Sequence, residues 1–194
     1  MPAMVLNCVV MFEWWDVVPD SGRQQWTLEP FISVGPLAFG MSPGEVSEAL
    51  SGATNEAQRH KRYLAPGAST WVIEMGRYQE FGLDLYYQQE RLSGIVVNAL
   101  RGPQVSVEGV PLVGRVPSVL EQWMVHRHRL ADTGEPDEDL VYVDASNPGS
   151  RSLGVAIEVQ RAGDHLLTRP VFIPFEALDI GFTSWLPDSV WGRY

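Results

Sequence analysis

The sequence predicts an α+β fold: an antiparallel sheet with helices on one face, assembled from two helix-plus-β-meander units. Three observations carry that expectation. A glycine-proline turn runs straight into a capped helix at residues 34–46, a looser copy of the turn returns at residues 109–119, and runs of alternating apolar and polar residues follow each copy. The Pro-Leu pairs, Pro36-Leu37 and Pro111-Leu112, lie about 75 residues apart, and two copies are too few for a solenoid. The expected organisation is an N-terminal extended segment (residues 1–30), a first unit (31–108) and a second unit ending in an aromatic tail (109–194). The two sheets are expected to join edge to edge in one compact domain.

The first helix is the best-marked element. Ser42 is a natural N-cap, Pro43 occupies the first helical position, and Glu45 three residues after the serine completes a capping box. Val46, Ala49 and Leu50 share one face, and Ser51-Gly52 ends the helix. Before it, residues 17–22 form a turn and residues 26–31 alternate as a strand. After it, residues 55–62 are polar and read as surface helix or loop, with Pro66-Gly67 as a turn. A meander follows: residues 71–75, then a strand on which Phe81, Leu83, Leu85 and Tyr87 oppose Asp84 and Tyr86, then residues 92–100, and a fourth strand at 104–108.

The second unit starts its helix at Pro117. Val119, Leu120, Trp123 and Met124, with Arg127 and Leu130 further on, form its expected stripe. A polar break at 131–139 precedes strands at 140–143, 152–159 and 165–173, with a hairpin turn at 161–164. Pro170 implies an edge strand or an exit from the sheet. Residues 175–180 read as a last helical turn, and 185–194 as an aromatic tail laid on the body.

Composition narrows the function classes. A net charge of −10 and a pI near 4.8 disfavour nucleic acid as a direct partner and favour, if anything, a basic protein partner. The single cysteine, Cys8, permits no intrachain disulfide. It is expected as a small buried hydrophobe. The apolar run at residues 4–12 has no Lys or Arg before it and is shorter than the roughly 20 residues a bilayer span needs. It reads as a strand, with Met11 as a second candidate start. A cytoplasmic protein without membrane contact is expected.

Motifs for chemistry are sparse. There is no Gly-x-Ser-x-Gly elbow, Walker loop or Gly-x-Gly-x-x-Gly. His126 and His128 stand two apart, where a zinc helix wants four, and read as surface residues. The acidic stretch at 132–144 lacks the EF-hand pattern. Glu74, Glu80 and Asp84 could face one another across strands as a carboxylate pair, although strand carboxylates are commonly just the wet face of a sheet. No cofactor or metal is expected. The aromatic residues of the meander make the better site, since Trp and Tyr carry much of the energy at protein interfaces. Trp71, Tyr78, Asp84, Tyr86 and Glu74 are the candidate partner-binding residues. Tyr86 is expected to be exposed, because Leu85 and Tyr87 take the other face.

The pattern Gly35-Pro36-Leu37-x-Phe39-Gly40-Met41-Ser42-x-x-Glu45-Val46, followed by Leu50, resembles the opening turn of small α+β repeat proteins. These are the β-lactamase-inhibitor-protein-like fold and the related small lipoproteins of outer-membrane barrel assembly. The chain is also similar to a group of bacterial cytosolic proteins that carry Val-Gly-Pro-Leu-x-Phe-Gly-Met, a Gly-Leu-x-Leu-x-Tyr strand and a later Gly-x-Pro-Leu-x-Gly-Arg. Here those are residues 34–41, 82–87 and 109–115. Some of that group resemble immunity proteins encoded beside secreted toxins. The likeness covers residues 26–130 and implies a fold and a binding habit, with no catalytic residue. Cys8 lacks a lipoprotein context, and the inhibitor's paired disulfides cannot form.

The leading expectation is therefore a non-enzymatic module, monomer or homodimer, that offers one sheet face to a protein, in the immunity version a cognate toxin. A small-ligand-binding protein or hydrolase with a pocket between helices and sheet is the second expectation. A self-associating structural module is the third.

Overall fold

The computed structural model describes residues 15–51, 56–62, 71–130, 139–143 and 147–191, with the backbone alone for 56–62 and Trp71. The expected N-terminal strand with Cys8, the Pro66-Gly67 turn and most of the acidic stretch lie outside the described residues.

The α+β architecture has the expected repeated order. The first run is β1 (Gln25–Glu29), β2 (Ser33–Val34), β3 (Leu37–Ala38), α1 (Pro43–Ala49), β4 (Glu56–Arg62), β5 (Trp71–Tyr78), β6 (Leu83–Gln88) and β7 (Arg91–Val97). The second is β8 (Gln104–Val107), β9 (Val110–Pro111), α2 (Pro117–Leu130), β10 (Leu140–Val143), β11 (Asn147–Ser150), β12 (Val155–Ala162) and β13 (His165–Phe172), closed by a short α3 (Phe182–Trp185). The two meanders join edge to edge through β13 and β7 into an eight-stranded sheet, β10-β11-β12-β13-β7-β6-β5-β4. The junction pairs Val171 with Val96 and Phe172 with Ile95, antiparallel. A smaller sheet, β3-β2-β1-β8-β9, contains one parallel pair, β1 with β8.

Local chemistry explains the well-marked elements. Ser42 Oγ accepts from the Glu45 N–H at 3.3 Å, and Glu45 Oε2 accepts from the Ser42 N–H at 2.7 Å. A cap of this kind stabilises a helix by about 1 kcal/mol. Val46 and Leu50 are buried beneath it. The two turn motifs dock on equivalent strands by the same backbone exchange. Gly40 N–H donates to Leu92 O and Leu92 N–H to Met41 O; Gly114 N–H donates to Thr168 O and Thr168 N–H to Arg115 O. Both glycines have positive φ, 84° and 68°, which a residue with a Cβ adopts at a cost. Each motif thus ties its helix to the last strand of its own meander.

Several expectations need correction. Residues 56–62 form a strand, not surface helix or loop, paired in register from Glu56 with Arg77 to Arg62 with Trp71; the hairpin ladder overrides a polar composition. The strand at 104–107 leaves the meander for the small sheet, where it lies parallel to β1. β11, Asn-Pro-Gly-Ser, reads as turn chemistry yet forms an interior strand between β10 and β12. Pro170 is not at a sheet edge: β13 pairs along its length with β12, and its pairing with β7 begins at the next residue. On α2 only Leu120 and Met124 are buried, while Val119 and Leu130 are 57% and 69% exposed.

The eight-stranded sheet is covered on two faces. On the first face Leu85, Ile95, Ile157 and Phe172 pack against the small sheet (Trp26, Leu28, Val105, Val107) and both long helices (Val46, Leu50, Leu120, Met124). On the second, Ile73, Met75, Tyr86, Val96, Ala156 and Val171 are buried under the C-terminal residues Phe182, Trp185, Leu186, Val190 and Trp191. The tail is laid on the body as expected. The two expected helices lie together on the first face; the short α3 lies on the second, which corrects the expectation that this face is left wholly free. Gly94 makes the seat, since a Cβ there would stand 2.6 Å from Leu186 Cδ2.

Asp139 ties α2 to the second meander. Its carboxylate accepts from Arg127 Nη1 at 2.6 Å, Ser150 Oγ at 2.8 Å and the Ser152 N–H at 2.8 Å. Burial pushes its pKa up, but those hydrogen bonds and Arg127 outweigh burial and hold it below the ordinary carboxylate value. A depressed folded pKa gives stability that is present above the unfolded value, near 3.9, and lost as pH falls through the folded one. Asp139→Asn is therefore expected to lower stability at neutral pH and to flatten the decline below about pH 4. Urea melts between neutral and acid pH check it; an acid limb as steep as wild type refutes the assignment.

Candidate functional site

The second face carries a zone, among the described residues, that the C-terminal segment does not cover. There a cleft of about 390 Å³ is lined by Arg77, Gln79, Gly82, Leu83, Asp84, Val96, Asn98, Arg101, Gln160 and Arg169. Strand alternation builds its floor. Arg77 is opposite Asp84, Asp84 opposite Val96 and Val96 opposite Val171, so these residues form one row on one face. Arg169 stands two residues from Val171 on that face, and its guanidinium donates to Val190 O of the C-terminal segment.

The loop after β7 forms the wall. Asn98 N–H donates to Gly82 O at 2.8 Å, and Gly102 N–H closes onto Asn98 O at 3.0 Å. Gly82 has φ of 61°, and a Cβ on it would stand 2.6 Å from the Gly102 nitrogen, so the loop can lie on β6 only because that position is glycine. Arg23 holds the loop from behind. Its Nη1 donates to Gly102 O at 2.6 Å and its Nη2 to Ala99 O at 2.7 Å and Leu100 O at 3.0 Å.

The lining is rich in donors. Asn98 Oδ1 is committed to the N–H groups of Leu100 and Arg101 at 2.9 and 3.1 Å, and Gln160 Oε1 to that of Ala99 at 2.9 Å. What remains of each amide is its NH2 group, a donor. Arg77, Arg101 and Arg169 add guanidiniums, which can only donate. Asp84 is the one carboxylate among the described lining residues, and its Oδ1 accepts from Arg77 Nε at 2.8 Å. Among the described lining residues arginines thus outnumber carboxylates three to one in a chain whose net charge is −10, and the buried Glu158 lies opposite Arg169 on the neighbouring strand.

No protein-family model, curated protein or solved structure matches the chain. The functional reading rests on the cleft's own chemistry.

Of the residues singled out from sequence, only Asp84 lines this cleft. Tyr78 is 1% exposed in the first core, with its hydroxyl 3.5 Å from that of Tyr87. Burial, then the Tyr78 hydroxyl, push the Tyr87 phenol far up, so Tyr87 is neutral packing at physiological pH. Tyr86 is 3% exposed, correcting the expectation that it faces solvent: alternation does send it away from Leu85, but into the second core. Glu74 is opposite Tyr87 and therefore on the first face, whereas Asp84 is on the second, so those two are not a carboxylate pair. The Trp71 side chain lies outside the described residues. Among the described residues no cluster of three or more His, Cys, Asp or Glu could hold a metal, and no helix is long and apolar enough to cross a membrane.

The sequence reading missed the arginines and amides. They come from β5, the loop after β7, β12 and β13, and no spacing links them. Arg77 and Arg169 did carry one signal, a charged residue at a strand position whose same-face neighbours are apolar.

Proposed function

We propose that this chain is a non-enzymatic binding protein that seats the anionic group of a small ligand in the cleft on the second sheet face. The observation that carries the proposal is the donor array: three guanidiniums and two amide NH2 groups converge on one cavity. Charge-assisted hydrogen bonds to a carboxylate or phosphate are about twice as strong as neutral ones. Binding is favoured over catalysis because Asp84, the one acidic side chain among the described lining residues, is engaged by Arg77 rather than poised as a base. A protein gripped through Tyr78 or Tyr86 has less support, since neither ring reaches the surface.

Arg101 supplies the test, because it is an exposed loop residue. Carboxylate and phosphate probes are expected to raise the melting temperature of the full chain, less so as salt increases. Arg101→Gln is expected to weaken binding about tenfold in a chain that still melts cooperatively. Failure of every probe to bind at millimolar concentration would remove the proposal.

A further inference from the structure

A surface patch where the β1–β2 turn meets the end of β13 is apolar, strained and rimmed by carboxylates. Ile32 N–H donates to Glu29 O at 2.9 Å, closing a turn with Pro30 at its second position and Phe31 at its third. Phe31 has φ of 63°. A type II turn with proline at the second position wants glycine at the third, because a bulky side chain reaches that backbone only under strain. Residues held in this way cluster at ligand clamps and switch regions. The Phe31 ring lies against Phe175, with centroids 5.4 Å and planes 86° apart. It also lies over Gly154, where a Cβ would stand 2.7 Å from Phe31 Cε1. Yet neither ring, nor Ile32 beside them, belongs to either core. Ile32 is 63% and Phe175 61% exposed. Apolar residues exposed singly need no explanation, whereas an apolar patch with a polar rim marks an interaction surface.

The rim selects the partner. Glu29, Glu176 and Asp179 are exposed on the same two segments, and none of the three is held in an ion pair. Ser33 Oγ donates to Glu29 Oε2 at 3.4 Å, a neutral contact that leaves the charge in place. Against them stands Arg151, whose Nη2 donates to Leu178 O at 3.4 Å. Three carboxylates to one guanidinium, in a chain of net charge −10, disfavour a second copy of the chain and favour a basic surface. We propose that this patch docks a protein segment that sets apolar side chains on Phe31, Ile32 and Phe175 and places Lys or Arg against the carboxylates. None of these residues lines the cleft, so the docking function is separate from ligand binding there.

Fluorescence anisotropy on the full chain tests this with three labelled peptides of about 14 residues. One carries Leu and Lys in an amphipathic helical pattern, the second Leu and Glu in the same pattern, and the third Ser and Lys. The Leu/Lys peptide is expected to bind at least about tenfold tighter than either of the others. Ile32→Ser and Phe175→Ser are each expected to weaken it about tenfold, and Glu176→Lys to weaken it and flatten its salt dependence. Val119→Ser, the loss of a comparably exposed apolar side chain on α2, is expected to leave it as in wild type. Melting curves confirm that every variant is folded. A Leu/Lys peptide that binds no tighter than its two counterparts, or whose binding survives both serine substitutions, overturns the proposal. So does sedimentation showing a wild-type dimer that Phe175→Ser dissociates, which would assign the patch to a second copy of the chain.

Discussion

Arg23→Met is expected to lower stability by about 3–5 kcal/mol, the largest loss we expect from a single polar residue in this chain. The guanidinium side chain is 1% exposed. It donates to Val18 O at 2.8 Å as well as to the three carbonyls of the loop after β7. Burial pulls its pKa down from the ordinary arginine value, while Asp20 nearby pulls it up, and it stays charged at any ordinary pH. Methionine fills much of the volume but leaves Val18 O, Ala99 O and Gly102 O without the arginine's N–H groups, at about 1–3 kcal/mol for an acceptor buried without a partner, while Leu100 O keeps the Val18 N–H. Because that loop carries Asn98 and Arg101, anion binding should fall with stability. Arg23→Lys is expected to lie between the two, since an ammonium has fewer donors and no planar fork. Urea denaturation measures the first effect and calorimetry the second. A loss under about 0.5 kcal/mol, the range of an ordinary surface substitution, refutes the role given to Arg23.

Trp185→Ala is expected to cost a further class of stability, about 3–5 kcal/mol. Trp185 is buried in the second core, its indole N–H donates to Ser93 O at 2.7 Å, and its carbonyl accepts from Gln88 Nε2 at 3.1 Å. Truncation leaves a cavity over the sheet and an unpaired carbonyl on β7. Beyond the global loss, hydrogen exchange should quicken first across residues 173–191, because a cover held by one row of side chains opens below the global free energy. The opposite pattern, with that segment as protected as the central strands and the melt unchanged, would show that the C-terminal cover does not depend on this anchor. Val96 lies both under the cover and in the cleft lining, and Arg169 touches both, so loosening the cover is also expected to weaken binding.

Legibility followed the range of the interactions. The first helix was readable to the residue because a capping box is decided by four neighbouring residues, and β6 because alternation over Leu83, Leu85 and Tyr87 needs no partner to be seen. Residues 56–62 were misread, and 147–150 went unrecognised as a strand, for the opposite reason. Their strands exist because a ladder is waiting on the neighbouring chain, and neither polar Glu-Ala-Gln-Arg-His-Lys-Arg nor turn-like Asn-Pro-Gly-Ser advertises it. Tyr86 was assigned to the correct face and the wrong environment. Alternation tells which side a side chain takes, and only the path of the C-terminal segment tells what waits there.

The candidate site divides the same way. Asp84 was visible as a carboxylate standing among apolar alternators. Its partner Arg77, and the distant Arg101, Gln160 and Arg169, became neighbours through the pairing of β5 with β6 and the docking of β13 on β7. The chain's letters alone settled the class of fold and the two turn-helix openings, because periodicity and capping are local properties that each segment carries with it. Which surface stayed open, and that it gathers donors in an acidic protein, was settled by long-range strand pairing and by where the tail comes to rest. Contacts between residues 70 to 100 positions apart leave no mark on the short windows from which sequence is read.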